Sequence, residues 1–186
     1  MGRPACTPTA VGLGFTLIEL VVALAITGIL LVMAVPVLNE QIDKRRLMAV
    51  ADAIYGDMQY ARSEAIRNNQ NVQISFSGGT NWCYGMILGA TACDCAVVAS
   101  SGSGYCALKR VDYLDFQNVS IPASAGVSFS GNKTGFDPVR GVALGAGHVI
   151  MQSAMGKQAQ VNLTLLGRIS VCAPASVGLT GTYPAC

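Results

Sequence analysis

From Leu17 to Leu38 the chain is apolar at nearly every position, LIELVVALAITGILLVMAVPVL, with Glu19 as the one charge. Wound as a helix, at about 1.5 Å per residue, this run covers about 33 Å, enough for the roughly 30 Å core of a bilayer. A secretory signal has a shorter apolar region of about 7–15 residues behind a basic leader. Here Arg3 is the one basic residue upstream, and cutting after the Ala-x-Ala at Ala23–Ala25 would leave an apolar stub. The pattern therefore predicts a retained membrane helix, with Pro36, which lacks an amide proton, as a kink. The period then changes. Leu47, Val50, Ala51, Ile54, Met58, Ala61 and Ala65 recur at steps of three and four, with Asp52, Asp57, Gln59 and Arg62 off that stripe. This is one apolar face of an amphipathic helix, predicted to pack on a globular domain and to stop at Asn68-Asn69-Gln70-Asn71.

Beyond Ser75 the pattern changes again. Short alternating or β-branched segments lie between turn residues: Asn71–Phe76, Tyr84–Leu88, Val127–Phe129, Gly141–Leu144, His148–Gln152, Gln160–Leu165 and Arg168–Cys172. Such spacing predicts an antiparallel sheet or a small sandwich, with Gly78-Gly79 and Gly131-Asn132 as turns. Residues 89–105 read as a loop, flexible around Ser100–Gly104. The fold class is thus α+β, a long N-terminal helix packed on a C-terminal β-domain.

Composition sharpens this picture. Of 186 residues, 52% are hydrophobic and 12% charged, which excludes a disordered chain. The net charge of +2 is too small to imply nucleic acid by itself. Within residues 133–186, however, Lys133, Arg140, Lys157 and Arg168 face Asp137 alone, so a basic surface there is a candidate for phosphate contacts. Catalytic constellations do not emerge. The single histidine, His148, reads as a strand residue, and no G-x-S-x-G elbow accompanies it. The expectation is a protein that is not an enzyme and carries no cofactor.

Glu19 carries the most information. A carboxylate inside an apolar span costs several kcal/mol, about 2.5–3.5 on insertion scales, and so marks a function. The stretch Gly14-Phe15-Thr16-Leu17-Ile18-Glu19-Leu20, behind a short polar leader, resembles the processing site of type IV pilins and type II secretion pseudopilins. That resemblance implies cleavage by prepilin peptidase between Gly14 and Phe15, N-methylation of Phe15, and a role for Glu19 in assembly. The carboxylate would pair with the N-terminal amine of a neighbouring subunit, each charge lowering the other's desolvation cost. Pro36 also matches a proline found at this depth in pilin helices.

Further motifs narrow the family. Ala61-Arg62-Ser63-Glu64-Ala65-Ile66 with Val72 and Ile74, the Trp82-x-x-Gly85 pair, and Gly167-Arg168-Ile169-Ser170-Val171 are similar to GspH/FimT-type minor pilins. Residues 89–135 match none of these motifs. The implied organisation is a leader at 1–14, a transmembrane and assembly helix at 15–38, its amphipathic half at 39–70 and a disulfide-containing β-domain at 71–186. Implied partners are prepilin peptidase, other pilins or pseudopilins and the inner membrane, with the β-domain in the periplasm and later in a pilus or pseudopilus. Some relatives bind DNA through a Gly-Arg-x-Arg motif, making DNA a candidate partner. Here Ser170 replaces the second arginine.

Removal of the leader would take Cys6 with it, leaving six of the seven cysteines: Cys83, Cys93, Cys95, Cys106, Cys172 and Cys186. Six in a secreted domain suggest three disulfides. Cys93 and Cys95 are too close to bridge comfortably, so each is expected to pair with Cys83 or Cys106, leaving Cys172 with Cys186. A zinc site at Cys93 and Cys95 has poorer C-x-C spacing and no nearby histidine, so no metal is expected. Lys44-Arg45-Arg46 after the apolar run would, by the positive-inside rule, place that end in the cytoplasm. The processing motif and the cysteines outweigh those three residues.

Overall fold

A computed structural model describes residues 14–175, 177, 179 and 181–186, with the side chains of 33–37 outside that description. Residues 1–13 of the leader, Cys6 among them, and the Pro36 side chain therefore lie outside the described residues. The chain forms two compact units, Met1–Asn39 and Glu40–Cys186. One helix, α1 (Leu17–Asn68), contributes to both. It begins two residues after Phe15 because Thr16 caps it, its Oγ1 accepting the Glu19 N–H at 3.3 Å. It stops where expected, for a specific reason. Asn69 takes the left-handed conformation (φ 51°), and the Gln70 N–H reaches back to the Ala65 carbonyl at 3.2 Å. That is the six-to-one bond of a Schellman cap.

Among the described residues, eight strands follow in the second unit: β1 (Val72–Ser77), β2 (Cys83–Leu88), β3 (Lys109–Asp112), β4 (Val119–Ser120), β5 (Lys133–Phe136), β6 (Gly147–Ser153), β7 (Gln158–Leu163) and β8 (Ile169–Cys172). They build two four-stranded sheets, ordered β3-β2-β1-β5 and β4-β6-β7-β8. Every named pairing is antiparallel. The architecture is α+β, a helix packed on two antiparallel sheets.

The stripe on α1 is the centre of the core: Leu47, Val50, Ala51, Ile54, Met58, Ala61 and Ala65 are each at most 1% exposed. The sheets meet it with alternate residues, Val149 and Met151 from β6 and Ala159, Val161 and Leu163 from β7, as the two-residue strand period requires. Sheet β3-β2-β1-β5 is covered on its other face as well. Two disulfides, Cys83–Cys95 and Cys93–Cys106, fold the 89–106 segment back over it, and the four half-cystines form a second buried cluster with Ile87 beside it. Ser75 in β1 is buried there, 3.7 Å from the Cys93 sulfur.

Two strand expectations need correction. Gly141–Leu144 is not a strand: Gly141 has φ 60°, and a single bridge, Phe136 to Ala143, is formed. Val127–Phe129 reduces to a bridge from Val127 to Val149, followed by a short 3-10 turn at Ser130–Asn132. Conversely, β3, β4 and β5 arise in segments whose patterns are too short or too charged to read as strands. The segment at 89–105, expected to be a loop, is clamped through its two cysteines, Cys93 and Cys95.

Candidate functional site

The N-terminal part of α1 is an apolar helix with little to cover it. Phe15 is 82% exposed, and Leu17, Ile18, Leu20, Leu24, Ile29 and Leu30 are all exposed. Glu19 lies at the head of a face continued by Val22, Ala23 and Ile26, at spacings of three, four and seven. Among the described residues Glu19 has no ion-pair partner. Among the described residues, also, no helix is long and apolar enough to cross a membrane. The apolar run with described side chains ends at Val32, about 24 Å of helix from Leu17 at about 1.5 Å per residue.

In the second unit, polar side chains of α1 seat the helix on the sheets. Asp57, which the sequence pattern placed on the solvent side, is buried. It accepts the Tyr84 hydroxyl at 2.7 Å and the Lys109 ammonium at 2.5 Å. Burial, then the Asp57 charge and the hydrogen bond to it, push the Tyr84 phenol well above its ordinary range, so it stays protonated. Tyr183 is raised to about 12, first by burial and then by donating to Asp52 at 3.0 Å. At the start of this unit Lys157 donates to Glu40 at 2.5 Å. The ammonium holds the Glu40 carboxyl below its usual value.

The four basic candidates do not form one patch. Lys157 is held by Glu40, whereas the turn carrying Arg168 is tied to Arg62, whose Nη1 donates to the Gly167 carbonyl at 3.4 Å. Glu40 and Arg62 lie on the same helix about 33 Å apart at about 1.5 Å per residue. Arg140 and Arg168 come together, because Gly167 passes over the Gly141 backbone. A Cβ at Gly167 would lie 2.4 Å from the Gly141 oxygen, and its φ of 76° also favours glycine. The Arg140 N–H is fixed by Asp137 Oδ1 at 3.1 Å. Both arginine side chains are exposed, beside exposed Val139, Leu165 and Leu166. Lys133 sits elsewhere, at the exposed start of β5 opposite Ser75. Arg62 is the member that sequence reasoning missed. It lies within Ala61–Ile66, a stretch read for its resemblance and not for its charge.

The cysteines close as Cys83–Cys95, Cys93–Cys106 and Cys172–Cys186. His148 is half-buried in β6 opposite Asn162. Among the described residues no three His, Cys, Asp or Glu side chains converge on a possible metal position.

Comparison with known proteins agrees with these features. Residues 50–167 match the family model described as type II transport protein GspH, and residues 13–35 match that of the prokaryotic N-terminal methylation motif. The chain is a pilin-like or pseudopilin-like protein, from a class of structural subunits. More particularly, it belongs to the GspH family. Two crystal structures of the Pseudomonas aeruginosa PAO1 type IV minor pilin FimU resemble it at low identity. One is 17% identical, covering 70% of this chain and 99% of FimU with a TM-score of 0.47. The other is 18% identical, covering 72% and 96% with a TM-score of 0.49. No curated protein matches the chain.

Proposed function

We propose that this chain is a minor subunit of a type IV pilus, supporting pilus assembly or priming. In this reading prepilin peptidase cuts between Gly14 and Phe15 and the new amine of Phe15 is methylated. The helix at 15–38 holds the subunit in the bacterial inner membrane, its β-domain in the periplasm. Glu19 then draws it into the filament by pairing with the terminal amine of a neighbour, and the apolar helix exchanges lipid for other helices. The observation that carries the reading is the methylation-motif match over residues 13–35, joined in one chain to a GspH match over 50–167.

Two other roles have specific support. The matched family's description as a type II transport protein favours a secretion pseudopilin. The meeting of Arg62, Arg140 and Arg168 favours a DNA receptor, although Ser170 removes one arginine of the motif. Deletion of the gene separates the first two: loss of sheared surface pili with normal exoprotein secretion supports the pilus role, and the reverse result overturns it. A Gly14→Leu chain should accumulate as unprocessed precursor on an immunoblot. Normal processing of that variant would overturn the peptidase step.

A further inference from the structure

The corner where the Asp137–Gly141 turn meets the β7–β8 hairpin carries more than charge. Gly167 lies on the Gly141 backbone, and the Ala143 N–H donates to the Leu165 carbonyl at 3.1 Å, so the two turns stand braced side by side. Their tips are aliphatic: Val139 is 79% exposed, Leu165 64% and Leu166 80%. Side chains so exposed project from the surface and leave their apolar area in water. The backbone fixes them there. The Gly167 N–H donates to the Thr164 carbonyl at 2.9 Å and the Gly141 N–H to the Asp137 carbonyl at 3.0 Å. Around the tips stand Arg140 and Arg168, both exposed, and Arg62, half-buried. Among the described residues none of these three has a carboxylate partner. Asp137 is the one acidic residue of either turn, and its Oδ1 already accepts the N–H groups of Val139 and Arg140.

Projecting aliphatic tips among unpaired cations narrow the partner. Duplex DNA would satisfy the arginines, yet its phosphate surface gives three aliphatic side chains nothing apolar to enter. A protein partner fits less well too: interface anchors are typically Trp, Tyr and Arg seated in pockets, with Leu and Val under-represented. A bilayer with anionic head groups meets both demands. Its acyl boundary takes up aliphatic side chains, while its phosphates lie at the level of cations set just behind them. We propose that this corner docks on an anionic bilayer surface. Val139, Leu165 and Leu166 enter the acyl boundary, Arg140 and Arg168 contact lipid phosphates, and Arg62 braces the hairpin through the Gly167 carbonyl. This contact uses no residue of the apolar run at 17–38, and it is independent of which filament the chain serves.

The test holds the full chain in nanodiscs of neutral phosphatidylcholine, which cover its apolar helix, and reads co-flotation with added vesicles. Vesicles containing phosphatidylglycerol should capture the chain, pure phosphatidylcholine vesicles should not, and capture should weaken as salt rises. Leu165→Ser with Leu166→Ser should weaken capture about tenfold or more, and Arg140→Ala or Arg168→Ala about fivefold each. All four side chains are exposed, so these variants should melt close to the parent. Val98→Ser, at an exposed valine of the disulfide-bonded segment, should bind as the parent does. Leu166→Trp reads depth directly. Lipids brominated on their acyl chains should quench it, whereas the parent's single tryptophan, the buried Trp82, should not respond. The proposal is overturned by no capture, by equal capture with and without phosphatidylglycerol, or by an unquenched Leu166→Trp variant. A double leucine variant that binds like the parent also overturns it, and would mark a charge-only surface of the kind a duplex uses.

Discussion

The indole N–H of Trp82 donates to the carbonyl of Val119 at 2.7 Å, both residues being buried. Trp82 leads into β2 of one sheet and Val119 opens β4 of the other, so this bond joins the two sheets within the core. The ring also stacks on Phe116, centroids 6.2 Å apart. Trp82→Phe keeps an aromatic but leaves a buried carbonyl unpaired. It should cost about 2–4 kcal/mol from the missing bond and the reduced volume together, read as a lower urea midpoint with little change in slope.

Gly85 has a different task. A Cβ there would stand 2.3 Å from the Cys106 sulfur and 2.7 Å from its Cβ, because the disulfide segment lies directly on β2. Gly85→Ala should prevent the Cys93–Cys106 bridge from seating. Thiol alkylation with mass measurement should find two free cysteines, and stability should fall by about 2–5 kcal/mol, as for loss of a native disulfide. A fully oxidised, equally stable variant would refute this account of the glycine.

The spacing of Trp82 and Gly85 is legible in the sequence, but the reasons for it are not. Val119 and Cys106 become neighbours only when the sheets form. The helix is the more readable element, since Leu47 to Ala65 carry their burial in their own period. Asp57 defeats that reasoning. Its position between stripe residues suggests solvent, yet Lys109, 52 residues later, and Tyr84 arrive to satisfy it in the interior. Strand β3 escapes the pattern for a related cause: Lys-Arg-Val-Asp holds one apolar residue, and its place is set by pairing with β2 and by the Lys109–Asp57 ion pair. The basic candidates group by nearness in sequence, whereas the fold ties Lys157 and the Arg168 turn to opposite stretches of α1 and leaves Lys133 on β5.

The ion pair of Glu40 and Lys157 should make a small, pH-dependent contribution. Glu40 has a lowered folded pKa, so its stabilisation is present above the unfolded value of about 4.3 and is lost as pH falls through the folded one. Lys157→Met should therefore melt slightly below the parent at pH 7, with the difference closing towards pH 3. Salt should shrink the gap at pH 7, because the pair is partly exposed. A gap unchanged at pH 3 would show that the lysine acts through packing alone.

The arginine corner yields a separate prediction for the DNA-receptor role. Duplex affinity should fall with rising salt, and the logarithmic slope should flatten by about 0.9 for each phosphate that is no longer neutralised. Arg168→Ala and Arg140→Ala should each flatten it, whereas Lys133→Ala, placed elsewhere, should change it little. No duplex binding at low salt would remove this role.

The hand-over from α1 to the sheet has a mechanical meaning. The helix passes the chain through Asn69 directly into β1, an inner strand with β2 on one side and β5 on the other. Tension carried along the end of α1 thus arrives at a strand that cannot peel away from an edge. It must break two ladders of hydrogen bonds together, while the Cys83–Cys95 bond ties the neighbouring β2 to the loop behind it. The load enters the domain at one of its best-braced strands.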